Sequence, residues 1–324
     1  MEKIPVTIIT GFLGAGKTTL LNRIVLGAEG QRLAIVVNEY GEVGIDGQLV
    51  VETKDEVVEL NNGCICCTVR SDLVTALTRL VSTAGPLDRI VIETSGLADP
   101  APVIQSFVLE EELKARLKID AIVTVVDALH LPHQLSQDEA VEQIAFADLL
   151  LLNKSDLVDG EGLSAIEQRV RALNPLAKIV QTKDCSIDPL EVLGIDALDL
   201  NNILAIDPNI LEEHDHEHDD AVGCVAIVDE GLLDPALFNA WLNRLVQEIG
   251  ADLFRMKGVL SFANEARRYV FHGVHMTLEG RPGKPWKATD VRKSELVFIG
   301  RHLNEAALRS GFEACLAAPR ALAS

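Results

Sequence analysis

The 324-residue chain has few aromatic side chains and no excess of positive charge. Aromatic residues make up 4% of the sequence, so a surface that binds bases or sugars by stacking is not expected. Acidic residues number 49 against 29 basic residues, and the formal net charge is −20. Phosphate backbones and anionic lipid surfaces repel such a chain. We therefore expect no nucleic acid and no membrane among its partners.

We also expect no membrane-spanning segment, no signal peptide and no disulfide framework. No window reaches the ~18 apolar residues that a spanning helix requires, and the apolar N-terminal stretch indicates a buried strand. Six cysteines occur, but three of them are crowded into Cys64-Ile65-Cys66-Cys67, where neighbours are poorly placed to bridge one another. Reduced thiols and a cytoplasmic location are therefore expected.

Residues 1–205 alternate short apolar runs with longer amphipathic segments. Several runs are apolar on both faces, which is typical of a parallel sheet covered by helices. The predicted strands are Val6–Thr10, Leu33–Asn38, Val57–Leu60, Arg89–Glu93, Ala121–Asp127, Asp148–Asn153 and Lys178–Gln181. The predicted helices include Leu20–Leu26, Asp72–Val81, Val103–Leu117 and Leu163–Leu173. This alternation predicts an α/β domain with a doubly wound, mostly parallel sheet.

A smaller domain follows a change in composition. Residues 206–221 are rich in acidic residues and histidines and show no apolar periodicity, which favours a solvated linker. Beyond the linker, the predicted strands are Val222–Val228, Tyr269–His272 and Glu295–Gly300, and the predicted helices are Pro235–Ile249 and Leu303–Leu316. We therefore expect an α/β domain at 1–205, a linker at 206–221 and an α+β domain at 222–324.

A phosphate-binding loop is predicted between the first strand and the first helix. The pattern G-x-x-x-x-G-K-[ST] is matched by Gly11, Phe12, Leu13, Gly14, Ala15, Gly16, Lys17 and Thr18. Glycines let backbone N–H groups surround phosphate oxygens, and the following helix adds the positive end of its dipole. Lys17 is expected to reach the β- and γ-phosphates, and the Thr18 hydroxyl to coordinate Mg²⁺.

A second motif predicts that the base is guanine. One buried strand ends in Asn153-Lys154-Ser155-Asp156, the N-K-x-D arrangement of GTPases. The Asp156 carboxylate can accept hydrogen bonds from N1–H and the 2-amino group of guanine, whereas adenine offers neither donor there. Thr182-Lys183, after the next strand, is a candidate for a further loop over the base.

An acidic residue near Mg²⁺ is expected at the end of another strand. Arg89–Glu93 is followed by Thr94-Ser95-Gly96, so Glu93 is a candidate for contact with Mg²⁺ or its water, and the Gly96 N–H for contact with the γ-phosphate. Asp127, which ends the strand from Ala121, is a competing candidate for the acidic role. Periodicity does not decide between the two.

The cysteine cluster predicts a metal site. Cys64, Cys66 and Cys67 follow a turn sequence and precede a helix predicted to begin near Ser71. Thiolates select Zn²⁺, Cu(I) or iron–sulfur chemistry over Mg²⁺, and we expect zinc or a similar divalent ion such as Co²⁺ or Ni²⁺. Zinc takes four ligands, so the fourth ligand is open: water, a carboxylate, a nucleotide-linked group or a partner's residue. A thiol redox switch is the alternative reading of the same cluster.

Three histidines alternate with acids in the predicted linker. In an extended chain His214, His216 and His218 share one side, where they can bind a metal weakly. A solvated acidic tract with incidental histidines explains the same pattern equally well.

Together these motifs resemble the CobW-like family of metal-chaperone GTPases, which includes bacterial and eukaryotic zinc chaperones. The resemblance covers nearly the whole chain. In the first domain it rests on Gly11–Thr19 (which adds Thr19 to the nucleotide-binding residues), Asn38–Asp46, Cys64–Cys67, Glu93–Gly96 and Asn153–Asp156. In the second domain it rests on Arg255–Gly258, Pro285-Trp286 and Leu296–Gly300.

The resemblance implies a GTPase domain whose cysteines hold a metal. It further implies that Glu39, Glu42 and Asp46 lie in a switch segment facing nucleotide and metal, with Glu42 and Glu39 as additional metal-ligand candidates. Members of the family deliver different metals to different client proteins, so the client and the oligomeric state stay open here.

The resulting hypothesis is a GTP-hydrolysing metallochaperone. It would bind GTP with Mg²⁺, hold a transition-metal ion on the cysteines and pass that ion to a client metalloprotein as GTP becomes GDP. Two alternatives are a non-catalytic GTP-binding metal sensor or scaffold, and a thiol-redox-regulated P-loop phosphotransferase.

Overall fold

The computed structural model describes residues 3–28, 30–40, 56–62, 67–83, 86–197, 222–274 and 276–317. The chain divides into two compact units, Met1–Ala197 and Leu198–Ser324. The predicted linker, residues 206–221, lies outside the described residues. Among the described residues, no helix is long and apolar enough to cross a bilayer.

The first unit is built on a seven-stranded sheet in which every neighbouring pair is parallel. Its strand order is β3-β2-β4-β1-β5-β6-β7. The strands are β1 Ile4–Thr10, β2 Leu33–Tyr40, β3 Glu56–Asn62, β4 Arg89–Glu93, β5 Leu117–Asp127, β6 Leu149–Asn153 and β7 Lys178–Gln181. The central strand is β1: the chain first forms β2, β3 and β4 on one side of it and then crosses to form β5, β6 and β7 on the other. In open α/β sheets, ligands bind at the carboxyl edge of the strands where the order reverses in this way.

Helices connect these strands. They are α1 Lys17–Gly27, α2 Cys67–Thr83, α3 Ala101–Leu109, α4 Glu111–Arg116, α5 Leu131–Gln134, α6 Asp138–Phe146, α7 Gly160–Leu173 and α8 Pro189–Val192. On one face of the sheet, Leu20, Leu21 and Ile24 of α1 are fully buried in a cluster with Ile9 and Leu151. Each such side chain contributes roughly 1.5–3 kcal/mol of hydrophobic stabilisation. This packing holds the helix that follows the glycine loop against the sheet.

The predicted strands of the first unit are confirmed, two helix predictions need correction, and three helices were not predicted. The segment 103–117 was expected to be one helix, but Glu110 is extended, with φ −90° and ψ 107°, and separates α3 from α4. The helix expected near Ser71 begins at Cys67, because nothing in Cys67–Arg70 breaks a helix. The helices α5, α6 and α8 were not predicted, since two of them have only four residues.

The second unit contains an antiparallel five-stranded sheet of order β11-β10-β9-β12-β8. Its elements are β8 Val222–Asp229, α9 Pro235–Ile249, β9 Leu253–Leu260, β10 Arg267–Val274, β11 Thr277–Pro285, β12 Ser294–Arg301 and α10 Glu305–Glu313. Phe238 of α9 is the centre of the core, with edge-to-face contacts to Trp241, Phe262 and Phe271 at 5.7, 5.7 and 6.2 Å. The second tryptophan, Trp286, lies under the guanidinium of Arg268 at 4.2 Å. The smaller α+β domain is therefore confirmed, although β9 and β11 were not predicted.

A buried carboxylate ties together the amino edge of the first sheet. Asp120 of β5 is 2% exposed. Its Oδ2 accepts hydrogen bonds from Arg89 Nη1 (3.2 Å), Gly194 N–H (2.7 Å) and Thr7 Oγ1 (3.3 Å), and its Oδ1 accepts one from Asp196 N–H (2.9 Å). Four donors from three segments (β1, β4 and the stretch after α8) therefore depend on one side chain.

Replacing Asp120 with alanine is expected to lower the free energy of unfolding by about 3–5 kcal/mol, because Arg89 and two backbone N–H groups lose their acceptor. Urea unfolding followed by circular dichroism measures the loss. The matched control is Asp88→Ala, which also removes an arginine partner but at an exposed pair (Arg32–Asp88, 3.0 Å), where the loss is expected to be much smaller. Equal losses for the two variants would contradict the structural role of Asp120.

The exposed pair predicts a pH dependence. Asp88 accepts hydrogen bonds from Arg32 Nε (3.1 Å), Nη2 (3.0 Å) and backbone N–H (2.9 Å), and these bonds lower the pKa of Asp88 from 3.8 to about 2. Because the folded pKa is the lower one, the pair stabilises the protein fully above the ordinary pKa and is lost as the pH falls toward 2. The difference in melting temperature between the wild type and Asp88→Asn should therefore shrink across this acidic window. A difference that is unchanged down to pH 2 would rule out the pair as its cause.

Candidate functional site

The glycine loop between β1 and α1 has the backbone geometry that only glycine adopts readily. Gly11, Gly14 and Gly16 have φ values of 136°, 73° and 116°, in the left-handed region. A Cβ atom on Gly16 would lie 2.6 Å from Asn153 Nδ2, and one on Gly11 would overlap the carbonyl oxygen of Val125. At Gly14, by contrast, a Cβ would meet nothing within 4 Å. The loop is thus packed against the protein at two glycines and open at the third.

Lys17, Thr18 and Glu93, the catalytic candidates predicted to contact the phosphates and Mg²⁺, lie together at the carboxyl edge of the sheet. Lys17 is 8% exposed, and its ammonium donates a hydrogen bond to the carbonyl of Phe12 at 3.3 Å. The Thr18 hydroxyl donates to Glu93 Oε1 at 3.0 Å. Glu93 ends β4 beside Ile9 of β1 and is 2% exposed. Parallel pairing of β1 and β4 therefore brings an acidic residue to the phosphate-loop threonine.

Asp127, the competing candidate, faces a different part of the site. Its Oδ2 accepts hydrogen bonds from Lys154 Nζ at 2.6 Å and lies 3.0 Å from His130 Nδ1. Its Oδ1 accepts from the backbone N–H groups of Leu129 (3.1 Å) and His130 (3.2 Å). Burial raises the pKa of Asp127, but the bonds from Lys154 and His130 outweigh burial, and the pKa is lowered from its ordinary value. The acid in contact with Thr18 is Glu93, whereas Asp127 contacts Lys154 of the N-K-x-D motif.

The segment after β4 packs directly on the phosphate loop. A Cβ atom on Gly96 would lie 2.7 Å from the backbone nitrogen of Leu13. Gln143 of α6, 1% exposed, donates from Nε2 to the carbonyls of Gly96 and Ala98, both at 3.2 Å. Gln143 was not singled out from the sequence, because a helical glutamine carries no motif. The two hydrogen bonds from Gln143 hold Gly96, which was predicted to contact the γ-phosphate, against the phosphate loop.

Asn153 joins three loops through one buried side chain. It ends β6, is 3% exposed, and donates from Nδ2 to the carbonyl of Ala15 at 2.9 Å. Its Oδ1 accepts from Thr182 Oγ1 at 3.2 Å and from the N–H of Cys185 at 2.8 Å. The first residue of the N-K-x-D motif is thus a structural link between the phosphate loop and the loop after β7.

The loop after β7 contributes a residue that sequence reasoning missed. Asp184 and Cys185 both have left-handed backbone, with φ 50° and 52°. The Cys185 thiol is fully buried and donates to the carbonyl of Gly16 at 3.3 Å, and burial raises its pKa to about 12. The thiol is therefore neutral and acts in packing. Thr182-Lys183 had been noted as a candidate loop, but no motif marked the cysteine.

The carboxylate predicted to read the base lies at the surface. Asp156 sits in a one-turn 3-10 helix, Ser155–Leu157, that follows Lys154, whose φ is 58°. Its Oδ2 lies 3.3 Å from Lys183 Nζ, and the two side chains are 38% and 65% exposed. An exposed pair of this kind contributes little free energy. The Asp156 carboxylate can therefore exchange its lysine partner for a ligand without a large penalty.

The predicted metal ligands fall mostly outside the described residues. Cys64, Cys66, Glu42 and the histidines 214, 216 and 218 are not described, nor is Asp46. Cys67 is the first residue of α2, and Glu39 lies in β2. Within the described ranges, no three His, Cys, Asp or Glu side chains form a group that could hold a metal ion.

The sheet order places both ends of the cysteine segment near the nucleotide edge. β3 ends at Asn62 and α2 begins at Cys67. β2 lies between β3 and β4, so its last residues pair with Asn61 and Asn62 on one side, while Val37 pairs with Glu93 on the other. Three strand spacings separate β1 from β3, or roughly 14 Å across the sheet.

Comparison with known proteins extends over both units. Residues 5–181 match the nucleotide-binding domain of the CobW/HypB/UreG family, and residues 222–316 match the C-terminal domain of the cobalamin synthesis protein CobW. The zinc chaperone CobW of Pseudomonas aeruginosa is 35% identical over 98% of this chain and 92% of its own length. The zinc chaperone YjiA of Escherichia coli is 33% identical over 96% of this chain and 98% of its own length.

A solved structure agrees with these sequence matches. The crystal structure of the Zn(II)-bound YjiA GTPase from E. coli superposes with a TM-score of 0.76, covering 98% of this chain and all of that chain, at 28% identity in the structural alignment. The glycine loop and the parallel sheet that carries it are therefore those of a known nucleotide-binding domain. The chain belongs to the CobW/HypB/UreG family and consists of its nucleotide-binding domain followed by a CobW C-terminal domain.

Proposed function

We propose that this protein is a GTP-hydrolysing metallochaperone that binds zinc through Cys64, Cys66 and Cys67 and transfers it to a client metalloprotein. Cobalt or nickel are alternative cargoes for the same thiol set. The observation that carries the proposal is the convergence of Lys17, Thr18 and Glu93 beside an N-K-x-D loop. Similarity to two zinc chaperones over nearly the full length of this chain supports the metal-delivery role.

Nucleotide binding falls to the glycine loop and the residues around it. Residues 11–19 and Gly96 surround the phosphates, with Lys17 neutralising charge on the β- and γ-phosphates. Thr18 and Glu93 offer a hydroxyl and a carboxylate 3.0 Å apart, a hard-oxygen pair that suits Mg²⁺, and these residues would hold that ion. When bound, Mg²⁺ neutralises the negative charge that develops on the phosphate oxygens.

Selection of guanine falls to Asn153, Lys154 and Asp156. The Asp156 carboxylate accepts from N1–H and the 2-amino group, and adenine would leave the desolvated carboxylate without donors. Asn153 holds the loop in place through Ala15 and Cys185. Base and phosphate recognition are thereby coupled through one side chain.

Metal binding falls to the cysteine segment. Cys67 begins a 17-residue helix, and the amino end of a helix favours a negatively charged ligand such as a thiolate. Glu39 and Glu42 are proposed as additional carboxylate ligands near the switch segment. Because three thiols must be reduced to hold zinc, we also propose a cytoplasmic location.

Coupling between nucleotide and metal is proposed to run through β2. This strand pairs with β4, which ends in Glu93, and with β3, which leads to the cysteines. The chain segment that leaves β2 begins between the two sites. Ordering of residues 38–46 by GTP would tighten the metal site, and hydrolysis would loosen it, as in other GTPase switches.

The substitution Glu93→Gln is expected to lower kcat for GTP hydrolysis by roughly 100-fold, with a much smaller change in GTP affinity. Glutamine can still accept the bond from Thr18, so the loop is retained while the negative charge is lost. Steady-state kinetics and calorimetry with a non-hydrolysable GTP analogue separate the two effects. Unchanged kcat would remove Glu93 from the catalytic set.

Zinc affinity is expected to differ between the GDP form and the form with a non-hydrolysable GTP analogue by a factor in the range of about 5–150. By linkage, zinc must change the affinity for the analogue by the same factor. Cys66→Ala should abolish the difference, whereas the control Cys224→Ala, in β8 of the second unit, should retain it. Equal zinc affinities in the two nucleotide forms would end the proposal of gated delivery and leave a GTP-binding zinc scaffold.

A further inference from the structure

We propose that Asp127 is a positioning residue for guanine recognition: it fixes Lys154 and, through it, the turn that carries Asp156. The inference deepens the proposed function and rests on it. Asp127 itself touches no part of the base in this scheme. It acts through the lysine of the N-K-x-D loop.

Asp127 is attached to the base-recognition loop at several points. It ends β5 opposite Asn153 in the parallel register with β6, and the next backbone N–H, of Ala128, donates to the carbonyl of Asn153 at 2.9 Å. The carboxylate is 2% exposed and accepts the Lys154 ammonium at 2.6 Å. The strand end that carries Asp127 and the strand end that carries the motif are therefore locked side by side.

The buried carboxylate of Asp127 is better explained by its positioning of a neighbouring side chain than by a contribution to the stability of the fold. A buried ion pair loses much of its attraction to desolvation, and apolar residues of similar volume often stabilise a fold as well or better. Asp127 nevertheless has its acceptor capacity filled, by Lys154, His130 and two backbone N–H groups. A carboxylate held by four hydrogen bonds has a fixed orientation, and it therefore fixes the position of the Lys154 side chain that is bonded to it.

Lys154 needs such an anchor because its backbone is strained. Its φ of 58° lies in the left-handed region, which a lysine adopts at an energetic cost. Lys154 is also the N-cap of the turn Ser155–Leu157, and its carbonyl accepts from the N–H of Leu157 at 3.0 Å. A change in the conformation of Lys154 therefore re-aims the turn that holds Asp156.

The rest of the loop has anchors of its own, so loss of Asp127 should be selective. Asn153 is bound to Ala15 and Cys185, and Ser155 donates from its hydroxyl and its N–H to the carbonyl of Thr182 at 3.0 and 3.1 Å. Lys154 and Asp156 are held instead by ion pairs, Lys154 with the buried Asp127 and Asp156 with the exposed Lys183. Removal of the Asp127 charge should disturb these two and leave the phosphate loop in place.

Asp120 supplies a matched control on the same strand. It is equally buried, at 2% exposure, and it also accepts a bond from a basic side chain, Arg89 at 3.2 Å. It lies at the opposite edge of the sheet, seven positions before Asp127 in β5. Asp120→Asn tests general destabilisation of the domain, whereas Asp127→Asn tests the link to the base.

The test compares GTP with ITP, which keeps N1–H but lacks the 2-amino group. Binding constants for both nucleotides are measured by calorimetry on the full-length wild type, Asp127→Asn and Asp120→Asn. Asp127→Asn is expected to lower the preference for GTP over ITP by roughly tenfold, the value of one hydrogen bond to a charged group, while kcat at saturating GTP stays near the wild-type value. Asp120→Asn should lower the melting temperature and leave the preference unchanged. If Asp127→Asn is poorly folded, Asp127→Ser, which retains an oxygen for the two backbone N–H groups, takes its place.

A double-mutant cycle tests whether the effect runs through Lys154. If it does, the variant carrying Asp127→Asn and Lys154→Ala will have the same preference as Lys154→Ala alone. Additive losses would overturn the inference, as would an unchanged preference in Asp127→Asn or an equal loss in Asp120→Asn. A wild type that binds GTP no better than ITP would instead defeat the proposed base recognition by Asp156, so the two failures are distinguishable.

Discussion

The nucleotide site depends on one buried carboxamide. Asn153 donates to the carbonyl of Ala15 in the phosphate loop and accepts from Thr182 and Cys185 in the loop after β7. Buried polar atoms are retained only when they are hydrogen-bonded, so these three bonds must form together. The Asn153 side chain can approach the phosphate loop only because residue 16 is glycine: a Cβ atom there would lie 2.6 Å from Asn153 Nδ2. The asparagine of the motif is thus a scaffold residue that links two loops.

Three buried acidic residues of the parallel sheet make contacts with different parts of the first unit. Glu93 contacts the threonine of the phosphate loop, Asp127 contacts the lysine of the N-K-x-D motif, and Asp120 contacts an arginine at the opposite edge. Each acid has a donor of its own, because an unpaired buried carboxylate is costly. Which acid serves which loop follows from the strand order, since β4 and β5 flank β1 and β6 follows β5.

The sequence predicts those parts of the structure that local chemistry determines. The strands of the first unit are recognisable from continuous apolar runs, and the glycine loop from the spacing of glycine, lysine and threonine. Contacts between distant segments have no such signal. The partnership of Asp127 with Lys154 spans 27 positions and that of Cys185 with Gly16 spans 169, and neither is visible before the strands are ordered. The choice between Glu93 and Asp127 could not be made for the same reason.

Strands β9 and β11 were missed because Arg255, Lys257, Arg281 and Lys284 interrupt their apolar pattern.

Both tryptophans of the protein, Trp241 and Trp286, lie in the second unit. One packs against Phe238 in the core, and the other lies beneath Arg268. The nucleotide-binding unit has no indole of its own, so intrinsic emission excited at the tryptophan band originates entirely outside it. Tryptophan emission therefore reports on the surroundings of Phe238 and Arg268 in the second unit, and a probe of the nucleotide site itself requires an introduced fluorophore.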